Sequence, residues 1–368
     1  MVKTHNTQTG VGSNKQTVGT KKKGVSRAMK VARVTMASGV LGLVWLGISA
    51  WRAGLSIQAQ FMRVIVLPLM FRKNTYNLVK YNADIASDRM KGPSLPSQAF
   101  RDKFYVREDK QDEKRIFTVA PHGNATNSLR ILYLHGGAYV LDLWPQHWTI
   151  IEGLINRTGA TVVVPVYPLA PEHDWQPAFK MVGAIYEHLA NEVGADNVVI
   201  AGDSAGGGIT LALAEQLRDQ GRPLPAALVL FSPWLDVTMS DPAQPKLDKI
   251  NCILSIESLR RSGALWAGQS PTTDPRISPL FGSLVRLPPI VIFTGTEDLL
   301  NPDANRLVTK AKTAGVSLML YEYLHEFHVW MGGYPQFIPE ASRALDQAAT
   351  FVQMHVALNR KSTPTLLR

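Results

Sequence analysis

Six consecutive residues, Gly202-Asp203-Ser204-Ala205-Gly206-Gly207, constrain this chain more than any other stretch. Before them, Asn197 to Ala201 is a short β-branched apolar run of the buried-strand type. After them, Gly208 to Gln220 carries Ile209, Leu213 and Leu217 at helical spacing, with Gly221 and Pro223 as a stop. A serine between glycines at a strand-to-helix turn is the pattern that lifts Oγ clear of a sheet. The turn strains the backbone, so its flanks cannot carry bulk, and the helix N-terminus beside Ser204 favours a developing anion. Alone, G-x-S-x-G arises by chance in about one chain of this length in eight, given glycine usage of ~7%. Its weight comes from what surrounds it.

Apolar strand candidates recur along the chain at 116–120, 129–134, 161–165, 227–231, 289–294 and 317–321. Between them lie helical patterns near 146–157, 177–193, 303–314 and 337–358. Continuous apolar strands alternating with helices predict an α/β fold, a mostly parallel sheet covered on both faces. Residues 237–270 break the rhythm with polar and helical material and read as a cap insertion over the mouth of the sheet. The strand at 129–134 runs directly into His135-Gly136-Gly137-Ala138-Tyr139. Adjacent glycines there let backbone N–H groups turn toward one point, as oxyanion stabilisation requires; a plain turn is the alternative.

The formal net charge of +10 divides unevenly. Residues 1–83 hold thirteen of the 39 Lys and Arg and no acid, which leaves 26 bases against all 29 acids in the remainder. The body is therefore near neutral and offers little electrostatic support for nucleic-acid binding. Cys252 is the only cysteine, which excludes an internal disulfide and a cysteine-based metal cluster. Residues 1–33 are expected to be a disordered basic tail. Residues 34–51 hold eighteen uncharged residues between Arg33 and Arg52, about 27 Å as a helix. They are read as a transmembrane signal-anchor, with a mitochondrial presequence or a buried cap helix as alternatives. The excess of Lys and Arg on the N-terminal flank places the tail in the cytosol and the body across the membrane, in the lumen of the endoplasmic reticulum. Residues 52–110 read as a linker and N-terminal cap segment, in which Phe61–Phe71 is too short to span and is expected at an interface or in a lid. Asn124-Ala-Thr and Asn156-Arg-Thr are glycosylation sequons that test this topology. The folded α/β body is expected over 111–358, followed by a tail at 359–368.

Together, His135-Gly-Gly-Ala-Tyr, Tyr167-Pro-Leu-Ala-Pro-Glu, Gly202-Asp-Ser-Ala-Gly-Gly and Ser232-Pro-Trp resemble the hormone-sensitive-lipase branch of the α/β-hydrolases. The likeness covers residues 100–358 with every motif in family order. It implies an α/β-hydrolase fold with a helical cap, a serine esterase with no metal or organic cofactor, and a catalytic acid and base following the serine. The family spacing favours Asp298 as the acid over Asp303, whose position also suits a helix N-cap. For the base, His325-Glu-Phe mimics the family His-x-Phe pattern, while an ungapped count from Ala314-Gly315-Val316 places the family histidine on His328. His328 is taken as the base and His325 as structural; His135 is read as bracing the oxyanion loop, and His122, His147, His173, His188 and His355 as surface residues.

The resemblance thus implies acyl transfer by Ser204, Asp298 and His328, with Gly136, Gly137 and Ala205 as oxyanion donors. Membrane-anchored members of the family suggest short-acyl, acetyl-type esters of a lipophilic alcohol, with membrane lipid as a further partner. A longer-chain lipase and a non-catalytic small-molecule receptor are the competing functions.

Overall fold

The computed structural model describes residues 42–70, 78–123, 127–251, 253–333 and 337–362. The chain falls into two units, Met1–Ser49 and Ala50–Arg368. Of the first, the described residues 42–49 are helical, and the helix continues to residue 53. Residues 1–41, and with them the whole basic tail and the first part of the expected anchor, lie outside the described residues, as does Asn124. No helix among the described residues is long and apolar enough to cross a membrane. Asn156 is described, exposed and helical.

The second unit is built on eight strands: β1 Phe104–Gln111, β2 Lys114–Pro121, β3 Arg130–Leu134, β4 Thr161–Pro165, β5 Val198–Asp203, β6 Ala227–Phe231, β7 Ile290–Gly295 and β8 Leu318–Tyr323. They form one sheet in the order β1-β2-β4-β3-β5-β6-β7-β8. The β1–β2 and β2–β4 pairs are antiparallel, and every other pair is parallel. Before, between and after the strands come the principal helices of this unit: α1 Leu78–Lys91, α2 Pro145–Thr158, α3 Trp175–Val193, α4 Ala205–Asp219, α5 Ile256–Ala267, α6 Asn301–Ala314 and α7 Pro339–Ser362.

Successive strand residues point to opposite faces, so a strand buried on both sides feeds two cores. Leu132, Ile200, Leu228, Leu230 and Ile292 pack with α3, α4, α6 and the cap helix α5. Their neighbours Ile131, Val199, Val229, Val291 and Phe293 pack with α2 and α7 on the other face. This is why β3 to β7 read as unbroken apolar runs.

β1 precedes the first expected strand at 116–120 and lies almost wholly within the expected linker 52–110, which falls in the same compact unit as the body. β1 escapes periodicity because it is an antiparallel edge strand: half of Phe-Tyr-Val-Arg-Glu-Asp-Lys-Gln is charged, and only Phe104 is buried. The expected cap insertion contains α5 and the short helix Gln244–Asp248.

Candidate active site

β5 ends at Asp203, and the chain enters α4 through Ser204 with φ 51° and ψ −120°. A non-glycine residue with positive φ costs on the order of 1–3 kcal/mol and persists only where its surroundings over-determine it. Here the Ser204 N–H donates to the Phe231 carbonyl at 2.9 Å, and the Ser204 carbonyl accepts from the Trp234 N–H at 2.8 Å. The strand-to-helix turn is thereby stitched to the end of β6. The flanking glycines are needed for space: a Cβ on Gly202 or Gly206 would overlap the Leu134 carbonyl, and one on Gly208 the Trp234 carbonyl.

The candidate base arrives from the loop after β8. His328 Nε2 lies 2.9 Å from Ser204 Oγ, and its Nδ1 lies 3.1 and 3.0 Å from the two oxygens of Asp298. Because Nδ1 faces a carboxylate, it carries the proton, which leaves Nε2 as acceptor for the serine hydroxyl. Asp298 is fully buried in the loop after β7, and its Oδ1 also accepts the Leu300 N–H at 3.0 Å. The two loops meet closely, since a Cβ on Gly295 would overlap the Glu326 carbonyl. Ser232 pins the base loop from below: its Oγ accepts the Val329 N–H at 3.0 Å.

The rival acid and base stand elsewhere. Asp303 is fully buried in the first turn of α6 and accepts from Gln244 Nε2 at 2.9 Å and Arg306 Nη1 at 2.8 Å. Burial, reinforced by the Asp236 carboxylate, pushes its carboxyl up to about 7. Asp303 thus ties the cap segment to α6. His325 Nδ1 lies 2.8 Å from Glu297 Oε1, and Glu297 is held in turn by the Arg63 guanidinium.

Gly136 is corrected out of the oxyanion set. Its N–H donates to Asp203 Oδ1 at 3.0 Å, so that donor is already committed. The amides of Gly137, Ala138 and Ala205 have no acceptor among the described residues. Gly137 and Ala138 both have positive φ, 118° and 53°, in the tight turn after β3. Ala205 opens α4, where the first N–H groups are left unpaired by helix geometry.

Asp203 is a residue that sequence reasoning used only as a family marker. Its carboxylate also accepts the Tyr133 hydroxyl at 2.6 Å and faces His147 Nε2 at 3.5 Å. Burial alone would raise this carboxyl, but His147 and the Tyr133 hydrogen bond outweigh it and hold it below the usual carboxylate range. His147 is a second correction, since it is buried rather than on the surface. Its Nδ1 accepts the Trp144 N–H at 2.8 Å, so the ring proton sits on Nε2 toward Asp203. His135 is fully buried, stacks on Tyr167 with ring centroids 4.4 Å apart, and places Nδ1 2.6 Å from the Gly136 carbonyl. Burial, then the proximity of His147, lowers its pKa to about 3, so the ring is neutral at working pH. The available signal for His147 was weak: a histidine three residues into a helix that opens with Pro145 looks like an ordinary first-turn residue.

The chain matches a family model described as the α/β-hydrolase fold over residues 131–332. An acetyl-hydrolase of Streptomyces hygroscopicus is 34% identical over 224 residues, covering 61% of this chain and 75% of its own length. An esterase of Acinetobacter venetianus is 32% identical over 229 residues, covering 60% of this chain and 73% of its own. Among solved structures, a hormone-sensitive lipase from a metagenome library matches with a TM-score of 0.71 at 26% identity, over 82% of this chain and 99% of that one. The chain therefore belongs to the α/β-hydrolases. More narrowly, it is a carboxylic ester hydrolase of the hormone-sensitive-lipase family.

Proposed function

We propose that the protein hydrolyses short-acyl, acetyl-type esters of a lipophilic alcohol through Ser204, His328 and Asp298. What carries this reading is the continuous hydrogen-bond path from Ser204 Oγ to His328 Nε2 at 2.9 Å, and from Nδ1 to Asp298 at 3.0 Å. His328 takes the hydroxyl proton as Oγ attacks the ester carbonyl, while Asp298 fixes the imidazole tautomer and stabilises the cation. The oxyanion is received by the N–H groups of Gly137, Ala138 and Ala205, each worth about 3 kcal/mol of barrier. His328 then gives its proton to the leaving alcohol. Water, deprotonated by the same imidazole, attacks the acyl-serine and releases the acid.

The acetyl preference is drawn from the Streptomyces relative, named an acetyl-hydrolase. A series of nitrophenyl esters of rising chain length, read alongside a sterol acetate, tests it. Fastest turnover of the acetate and loss of turnover in Ser204→Ala are expected; a maximum at long chains makes the protein a lipase, and unchanged turnover in the variant removes Ser204. The receptor reading predicts no turnover at all. We also propose residues 34–51 as a single-pass signal-anchor that leaves the body in the lumen of the endoplasmic reticulum, a reading supported by the basic N-terminal flank. Digestion of the body by protease added to sealed microsomes would overturn that topology.

A further inference from the structure

The segment after Gly54 leaves a row of large apolar side chains in water. Ile57, Phe61, Ile65 and Leu69 are 54, 36, 40 and 73% exposed, each four residues beyond the last. They lie on a short helix, Ile57–Phe61, a π-helical turn, Met62–Val66, and a second helix, Leu67–Met70. At 3.6 residues per turn, a spacing of four drifts around an α-helix. The wider π turn, bonded five residues apart, takes up that drift and keeps the later members near the line of the first two. Leu324, 57% exposed, lies in van der Waals range of a Cβ built on Gly54 and extends the row.

The opposite side of the segment is fastened down, so the outward row is a fixed face. Ala59 and Leu67 join the core beneath α2 and α7. The Ser56 N–H and hydroxyl donate to the two oxygens of Glu340 at 2.7 and 2.8 Å, and Arg63 holds Glu297, the residue before Asp298. The face therefore sits on the side of the molecule that carries the acid and base loops.

Charge decides the occupant. Residues 52–83, the stretch that carries the row, hold Arg52, Arg63, Arg72, Lys73 and Lys80 and no acid. A second copy pairing through this face would bring like charges together, whereas anionic headgroups complement them at about 1 kcal/mol per basic residue. An apolar helical row flanked by basic residues is the composition of an interfacial element. We propose that Ile57–Met70 is such an element, laying Ile57, Phe61, Ile65 and Leu69 into the headgroup boundary of an anionic bilayer beside the catalytic loops. The proposal rests on surface residues, not on the triad, and is separate from whether residues 34–51 span.

The test uses the full chain with Cys252→Ser, carrying a polarity-sensitive dye on Phe61→Cys, with a second preparation labelled at Tyr105→Cys on the exposed edge of β1. Each is mixed with phosphatidylcholine vesicles with and without phosphatidylserine. Thermal melts and turnover of a soluble ester establish that both preparations are folded, so that failed docking is distinguishable from failed hydrolysis. The expected result is a blue shift at position 61 only, larger with phosphatidylserine, and a loss of vesicle affinity of at least about tenfold on adding Ile57→Glu and Leu69→Glu. No shift at 61, or equal shifts at 61 and 105, overturns the proposal. A shift already present without vesicles, with doubled mass by light scattering, assigns the face to a second copy and also overturns it.

Discussion

Ser204 Oγ has the His328 imidazole 2.9 Å away, while His325, three residues earlier, spends its Nδ1 on Glu297. His328→Ala and Asp298→Asn are accordingly expected to lower kcat by about four orders of magnitude, the second by releasing the wrong imidazole tautomer. His325→Gln, which keeps a group able to hydrogen-bond Glu297, is expected to hold kcat within about threefold; a loss as deep as that of His328→Ala would reverse the assignment. Glu215 poses a different question. It is buried in α4, and neither carboxyl oxygen has a partner among the described residues. Burial pushes it up to about 9 from 4.5, against the pull of Arg218 and Lys310. The folded state therefore keeps a proton that the unfolded chain releases, and stability falls as pH rises from 4.5 toward 9. Glu215→Gln removes that slope. Its melting temperature should exceed the parent's by a few degrees at about pH 8 and match it near pH 4.5. Equal curves would mean that water reaches the carboxylate.

At the scale of elements, the turn after β3 and the turn after β5 are held as a pair by one carboxylate. Asp203 takes the Gly136 N–H, the Tyr133 hydroxyl and the His147 ring on its two oxygens. Asp203→Asn keeps the shape but replaces one acceptor oxygen by a donor facing His147 Nε2, itself a donor. The glycine turn should then sit less squarely over Ser204, lowering kcat roughly tenfold with little change in KM, since only transition-state stabilisation is lost. A change in KM alone would place Asp203 in substrate binding instead. The same pair shows where sequence reading runs out. The glycine turn was legible because Gly136-Gly137 follows an apolar strand, and the serine turn because strand and helix flank it. Which amides stay free was not legible: that depends on where the neighbouring carboxylate points, and no spacing rule reports it. β1 was missed for a related reason, since a charged edge strand takes its stability from backbone pairing with β2 and only one buried side chain. The parallel strands β3 to β7 were legible because burial on both faces leaves no polar residue to interrupt them.

Across the whole molecule, the core between the sheet and α2 and α7 takes in a segment from far earlier in the chain. Ala59 and Leu67 enter the core beneath α2 and α7, Ser56 is bound to Glu340 at the start of α7, and Arg63 is bound to Glu297 beside Asp298. These attachments differ in kind. The apolar pair is held by packing, while the Arg63 guanidinium makes paired charge-assisted bonds to a largely buried carboxylate, a stronger type of hydrogen bond than a neutral one. Removing the guanidinium leaves Glu297 with His325 alone, a partner charged only when protonated. Arg63→Met, which keeps the length of the side chain, is therefore expected to speed amide exchange across residues 57–67 by at least about tenfold, because local opening draws on local contacts. The global melting temperature should move by less than about 2 °C, since the sheet and its two cores are untouched. Turnover of a soluble ester should fall a few-fold through the loosened Glu297 and the acid loop that follows it. Unchanged exchange over residues 57–67 would instead assign the hold to Ala59, Leu67 and the Ser56–Glu340 bonds, and the acid loop would then stand independent of the N-terminal segment.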